Sequence, residues 1–265
     1  MGVFAQDLRY AARQVRRSPG FFAVAALLIA LGVAANTQIF TLVNTLLLRP
    51  LPVRDPQNLV QLFEIRAKLP AYPYFDYPLY KELASESSTL FQVAGQMEWI
   101  LPLERSANTE RSHVYGVTDN FFSDLGVPPL LGRVLSKSDD HVAVLSYGYW
   151  VRSFGHDPKA VGQIVRLKGH PFQIVGIAAE QFDGTVVDSG PDLWIPFSNF
   201  PDFSRVPNPK LDDFLIEIIA RRRPGMSREL SQQETAAIWT RYMEDAAKRE
   251  PQNYLDHLDG KLEVR

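Results

Sequence analysis

Five histidines, His113, His141, His156, His170 and His257, are the first side chains able to hold a metal or move a proton. None lies in a His-Glu-x-x-His or His-x-His arrangement, the local spacings that bring two imidazoles onto one ion. Each therefore reads as a surface or loop histidine. Asp139-Asp140-His141 comes nearest to a ligand cluster, but it directly precedes the apolar run Val142-Ala143-Val144-Leu145 and reads as a polar turn. Cysteine is absent, which excludes disulfides, thiolate metal sites and a cysteine nucleophile. There is no P-loop, no G-x-G-x-x-G and no G-x-S-x-G. Arg221-Arg222-Arg223 has the charge to touch phosphates, though beside Pro224-Gly225 it reads better as a solvated loop. Tyr72, Tyr74, Phe75, Tyr77 and Tyr80 suit either an apolar groove or the cover of a sheet edge. On these residues the chain is read as no enzyme, with no catalytic, cofactor-binding or metal-binding residues and no cofactor.

The elements carrying these residues are unevenly apolar. Of 265 residues, 46% are hydrophobic and 22% charged, which excludes a disordered chain and a protein built mostly of membrane spans. The net charge of -2 supplies no basic field, so nucleic acid is not expected as a partner. The apolar residues concentrate between Ser18 and Leu48, a 31-residue run without Asp, Glu, Lys, Arg or His. As a helix it reaches about 46 Å, whereas a bilayer core needs about 30 Å. Val33-Ala34-Ala35 offers the small residues of a signal-peptide cleavage site. The uncharged run continues well past Ala35, which favours a retained transmembrane helix over 18–48. Arg9, Arg13, Arg16 and Arg17 precede the span and only Arg49 and Arg54 closely follow it, so the N-terminus is expected in the cytoplasm. Residues 1–17 read either as a basic amphipathic arm on the inner leaflet or as an unstructured basic segment.

Within the span, Ala26, Ala30 and Ala34 repeat every four residues, a small-residue ridge against which another helix can pack. Thr37, Thr41, Asn44 and Thr45 form a polar stripe at i, i+4, i+7, i+8. In lipid such groups need partners, so these seven residues are the helix-packing candidates. The alternative is that the polar half emerges into water.

Residues 53–265 read as one extracytoplasmic domain with β-α units at its two ends, about 53–95 and 210–265, and a β-rich insert over about 96–209. Strands are expected over 59–65, 142–145, 164–167, 172–177, 193–196, 214–220 and 262–264. Helices are expected after Asp76-Tyr77-Pro78, after Thr118-Asp119 with Phe121, Phe122 and Leu125 inward, and after Ser227 with Leu230, Ala237, Ile238 and Tyr242 inward. The strands that enter and leave near the membrane are expected to pair.

Several segments carry a resemblance. Asp7-Leu8-Arg9-Tyr10-Ala11, Arg16-Arg17-Ser18-Pro19-Gly20-Phe21, Ala30-Leu31-Gly32-Val33-Ala34-Ala35-Asn36-Thr37-Gln38-Ile39-Phe40 and Leu47-Leu48-Arg49-Pro50-Leu51-Pro52 resemble the opening of the duplicated orphan permeases of the acidobacterial type. These stand among the MacB/FtsX-type ABC transporter permeases. Val117-Thr118-Asp119-Asn120-Phe121-Phe122, Leu131-Gly132-Arg133, Val144-Leu145-Ser146-Tyr147-Gly148-Tyr149-Trp150, Phe154-Gly155, Ile174-Val175-Gly176-Ile177 and Asp192-Leu193-Trp194-Ile195-Pro196 resemble the MacB-like periplasmic core domain. The resemblance implies an α+β chain: one N-terminal transmembrane helix, then an extracytoplasmic domain with a porter-like α/β subdomain and a β-rich inserted subdomain. It implies a bacterial inner-membrane location and a domain that relays movement between a cytoplasmic ABC ATPase and exported substrates or partner proteins. The bilayer, the ATPase, a second permease unit and a periplasmic adaptor protein are the implied partners. Family permeases continue with three more helices, so contacts with the ATPase are expected largely outside these residues. The rival readings are a membrane-anchored regulator of a cell-wall hydrolase, acting by contact, and a secreted binding domain.

Overall fold

A computed structural model of the chain describes residues 13, 16, 19–43, 52–66, 69–105, 108–185, 190–249 and 260–265. It divides into two compact units, Met1–Pro50 and Leu51–Arg265.

The first unit contains helix α1, Pro19–Val43. Pro19 suits the first turn, where its missing N–H would have had no partner in any case. Its residues Pro19–Gln38 are long and apolar enough to cross a membrane, and none of that stretch is buried against protein. Phe21, Leu27, Leu28 and Leu31 are all exposed, a surface that in water would have nothing to cover it. Most of the expected arm lies outside the described residues.

The second unit is built on one mixed sheet whose main path runs β11-β1-β10-β3-β4-β9-β6-β8-β5. Its strands are β1 (Leu59–Ile65), β2 (Tyr74–Asp76), β3 (Leu90–Arg105), β4 (Asn108–Val117), β5 (Pro129–Gly132), β6 (Val142–Leu145), β7 (Ile164–Leu167), β8 (His170–Ala178), β9 (Leu193–Pro196), β10 (Leu215–Arg222) and β11 (Lys261–Val264). Among the described residues four α-helices accompany them: α2 (Tyr77–Glu86), α3 (Phe121–Leu125), α4 (Tyr147–Phe154) and α5 (Arg228–Arg249). β1 alternates in burial, as expected of a strand with one face on the core. It pairs antiparallel with β11, from Leu62↔Val264 to Ile65↔Lys261, and with β10 on its other side. The first and last strands are thus neighbours, as expected. β2 takes the place beside β10 that β1 leaves open, with Ile216↔Phe75 in register. This puts the tyrosine-rich segment on the sheet rather than around a groove.

The hairpin of β3 and β4 is the longest element, with ten registered pairs from Gln96↔Val117 to Arg105↔Asn108. β3 pairs β10 near its start and β7 near its end, so it passes position 96 without interruption. β7 and β8 are joined by Lys168-Gly169, both at positive φ (50° and 89°), the backbone that a two-residue hairpin requires. After β9 the chain forms a 3-10 helix, Phe197–Phe203.

The inward face of α5 and the start of α3 differ in part from expectation. α5 buries Ser231, Thr235, Ile238, Trp239, Tyr242, Met243 and Ala246, while Leu230 and Ala237 face out. The inward hydroxyls are satisfied within the helix, Thr235 Oγ1 donating to Ser231 O at 2.7 Å, so small polar residues extend the buried arc. α3 starts after Asn120; Thr118 Oγ1 instead accepts from Gly95 N–H at 3.0 Å. Phe121, Phe122 and Leu125 do point inward, and Gly126 ends the helix at φ 73°.

Candidate functional site

The segment that follows the apolar helix in the chain joins the domain through a polar lock. Arg54 N–H donates to Leu125 O at 2.8 Å, and Asp55 takes left-handed backbone with φ 48°. Asn58 Nδ2 donates to Asp55 Oδ2 at 2.7 Å. At the centre is Arg221, only 2% exposed. Its guanidinium donates to Asp55 O at 2.6 Å, to Asp124 O at 3.1 Å and to Gln92 Oε1 at 2.9 Å. One side chain thus ties the leading segment, the end of α3 and β3 to β10. Burial lowers the Arg221 pKa from its ordinary value, an effect that Asp55 and Asp124 partly offset. Arg222 continues the lock, donating to Asn58 Oδ1 at 3.1 Å and Met226 O at 3.0 Å. Arg221 and Arg222 lie in β10, a correction to the reading of Arg221-Arg222-Arg223 as a solvated loop, whereas Arg223 is exposed just beyond the strand. The buried Arg221 guanidinium is tolerated there because each of its three nitrogens donates to an oxygen in the fixed fork that Arg presents.

Beside the lock, a polar seam crosses β2, β10, β3 and β4. Glu217 accepts from Gln96 Nε2 at 2.8 Å, and Thr185 Oγ1 donates to Gln96 Oε1 at 2.9 Å. His113 Nδ1 lies 2.5 Å from Glu98 Oε1. Burial raises the Glu217 carboxyl, with Glu98 adding to the effect and hydrogen bonds from Gln96 and Tyr74 opposing it. The Tyr74 phenol is pushed up to about 12 by burial and by Glu217.

A third polar joint holds α5 to the turn between α2 and β3. Glu234 accepts from Ser87 Oγ at 2.6 Å, Ser88 N–H at 2.8 Å, Ser88 Oγ at 2.5 Å and Thr89 N–H at 2.9 Å, and also from Thr89 Oγ1. Partial burial opposes its ionisation, but these bonds outweigh that and pull its pKa to about 2.

Within the domain, the segments that resemble the periplasmic core supply caps, close approaches and packing. Ser146 caps α4 by accepting from Tyr149 N–H at 3.1 Å. Tyr149 OH donates to Glu110 at 2.5 Å and Trp150 Nε1 to Asp157 O at 2.9 Å. Asp192 accepts from Arg152 at 2.5 Å and from His113 N–H at 3.0 Å. Gly132 and Gly176 face each other across β5 and β8. A Cβ on Gly176 would stand 2.0 Å from Arg133 O, and one on Gly132 2.3 Å from Val175 O, so neither position has room for a side chain. Trp194 is fully buried, stacked on Phe182 and edge-on to Phe122.

Of the helix-packing candidates, Ala26, Ala30, Ala34 and Thr37 lie exposed on α1. Thr37 Oγ1 donates to Val33 O at 2.8 Å, so its hydroxyl has a partner within the helix itself. Thr41 falls within α1, while Asn44 and Thr45 lie outside the described residues. In the turn before β6, Asp139 is held by Arg133 through two hydrogen bonds of 2.6 and 2.9 Å, consistent with a polar turn.

The comparisons with known proteins agree with one another. A family model described as the MacB-like periplasmic core domain matches residues 22–238. The periplasmic region of MacB from Actinobacillus actinomycetemcomitans shares the fold with TM-score 0.58 at 14% identity, covering 78% of this chain and 88% of that one. The extracellular domain of the noncanonic ABC-type transporter YknZ from Gram-positive bacteria gives TM-score 0.56 at 13% identity, over 78% of this chain and 100% of that one. A domain of a putative permease protein from Porphyromonas gingivalis gives 0.55 at 14% identity, over 78% and 89%. No curated protein matches the chain in sequence. Since the family model extends from within the apolar helix into α5, the chain belongs to the MacB-like periplasmic core domain family of ABC-type permeases.

Proposed function

We propose that this chain is the N-terminal part of an ABC-type permease of the duplicated orphan type. In this reading α1 anchors it in the bacterial inner membrane with the N-terminus in the cytoplasm. The domain outside relays conformational change between a cytoplasmic ATPase and exported substrates or partner proteins, with no catalysis of its own. The observation that carries this reading is the double attachment of the leading strand: β1 is hydrogen-bonded to both β11 and β10, and Arg221 fastens the residues just before it. A displacement of the chain at that point is passed into the sheet, because directional hydrogen bonds resist shear along the strands. Ala26, Ala30 and Ala34, with Thr37, Thr41, Asn44 and Thr45, supply the face on which the remaining permease helices or a second permease unit pack.

The absence of cysteine gives a clean background for testing topology. Cysteine at Arg111 should react with a membrane-impermeant thiol reagent in spheroplasts, and cysteine at Arg13 only after lysis. Labelling of both in intact spheroplasts would contradict the orientation. The relay is tested in the complete permease with its ATPase: Arg221→Gln should fold and bind the ATPase yet lower transport at least tenfold. Unchanged transport would remove the lock from the mechanism.

A further inference from the structure

We propose that His141, His170 and Asp202 form a binding site for a divalent transition-metal ion, zinc by preference. One ligand atom from each residue comes to lie within 4.8 Å of the others, and all three residues are half-buried. They arrive from separate segments: His141 from the turn before β6, His170 from the first position of β8, and Asp202 from the 3-10 helix after β9. That dispersion is why the local spacing of histidines along the chain gives no metal motif.

The contact between His141 and Asp202 has the character of two ligands rather than of donor and acceptor. Nε2 and Oδ2 are 3.1 Å apart, yet Oδ2 is buried with no hydrogen-bond partner. The two atoms are close without an N–H aimed from one to the other. Ligands bound to a tetrahedral ion at about 2.0–2.1 Å stand roughly 3.3 Å apart, which is close to this spacing. An ion between them would satisfy the orphaned oxygen.

The opposite side of the His141 ring is already supported. Nδ1 lies 2.8 Å from Asp140 Oδ1, and Asn199 Nδ2 donates to the same oxygen at 2.5 Å. An ionised carboxylate only accepts, so Nδ1 carries a proton, and in the neutral ring Nε2, facing Asp202, is the nitrogen left to ligate. A carboxylate behind a ligating imidazole is the arrangement that fixes ring orientation and raises donor strength at metal sites. His141 is further held by left-handed backbone, φ 49°, with its N–H directed to Asn199 Oδ1 at 3.3 Å. Phe172 packs on the His141 ring and Phe203 on the His170 ring. Lys168, two residues before His170, donates to Phe203 O at 2.7 Å.

Two imidazole nitrogens and one carboxylate oxygen suit zinc, cobalt or nickel better than calcium or magnesium, which demand more oxygens. Three protein ligands leave a fourth position for water. A bound ion would clamp the β7–β8 hairpin, the turn before β6 and the 3-10 helix together.

The test uses the full chain in detergent, without a histidine tag, stripped by chelator and titrated with Zn2+ by calorimetry and with Co2+ by visible absorption. One equivalent should bind, with the intense cobalt spectrum of a four-coordinate site and a rise of several degrees in unfolding temperature. His170→Ala and Asp202→Asn should each weaken binding at least tenfold while keeping the parent near-UV circular dichroism. Asp140→Asn should weaken it about 10-fold or more through loss of support to the ring. His156→Asn, outside the cluster, should bind as the parent does. The proposal is overturned if no stoichiometric uptake occurs, or if uptake persists unchanged in both His170→Ala and Asp202→Asn.

Discussion

At one end of the sheet, around β11, β1 and β10, the elements are joined by directional hydrogen bonds: Arg221 to three segments, and Glu234 to Ser87, Ser88 and Thr89. Around β6, β8 and β9 a cluster of buried rings adds to the joints, with Phe122 and Phe182 each against Trp194 and Phe121 against both phenylalanines. The two kinds of joint respond differently to force. Close-packed rings have two options, packed or separated, and a core of them moves as a body. A joint of directional hydrogen bonds holds its partners in a set geometry and resists shear, so it passes a displacement on to the strands it ties, although each bond contributes only about 1 kcal/mol net. The polar end, which lies beside the leading strand, is therefore the part suited to passing on a displacement. The aromatic end is the part suited to being carried.

This contrast orders the expected effects of substitution. Phe122→Ala should be the most damaging, about 3–5 kcal/mol by chemical denaturation, because it opens a cavity between α3 and Trp194. Trp194→Phe should cost much less than Trp194→Ala, since the buried indole N–H has no hydrogen-bond partner to lose. If the two Trp194 variants were equally destabilised, the aromatic end would not be held by packing. Arg221→Met should follow, at about 1–3 kcal/mol, because it strands the carbonyls of Asp55 and Asp124.

Glu234→Gln should cost about 1–2 kcal/mol at neutral pH. The sign of its pH dependence follows from its folded pKa of about 2, below the ordinary value of about 4.3. Its contribution is complete above pH 4.3 and is lost as pH falls toward 2. The variant should flatten that acid limb of the stability curve; an unaltered limb would show that Glu234 is no joint. Glu217 works in the opposite sense. Burial raises its folded pKa, so its ionised form opposes folding and stability is gained as pH falls through that pKa. Glu217→Gln should change stability at neutral pH by under about 1 kcal/mol and remove that gain.

How far the sequence revealed this arrangement depended on whether each element's signal was local. The span, β1, β9 and the β7–β8 turn each had the required pattern within a few residues. The β3–β4 hairpin did not. Pro102 lies inside β3, and β4 carries Glu110, Arg111 and His113, so neither strand alternates cleanly. Their pairing is set by partners far along the chain, β10 and β9. Arg221 was misread for a similar reason: three adjacent arginines suggest solvent, and only the fold brings carbonyls from residues 55 and 124 to the guanidinium. The inward face of α5 was placed in part: Ile238 and Tyr242 are buried as expected, but Ser231 and Thr235, which look polar in sequence, are buried in place of Leu230 and Ala237, each bonded to the carbonyl four residues before it. The ridge of Ala26, Ala30 and Ala34 was legible as a pattern, and these residues lie exposed on α1.

The central claim is that movement enters the domain at its polar end. The most direct measurement is amide hydrogen exchange on the complete permease with its ATPase, comparing the nucleotide-free state with a trapped ATP state. The expected result is altered exchange across residues 59–65, 215–222 and 261–264, with residues 142–145 and 170–178 unchanged. Alteration confined to 142–145 and 170–178, with 59–65 and 215–222 unaffected, would contradict the account.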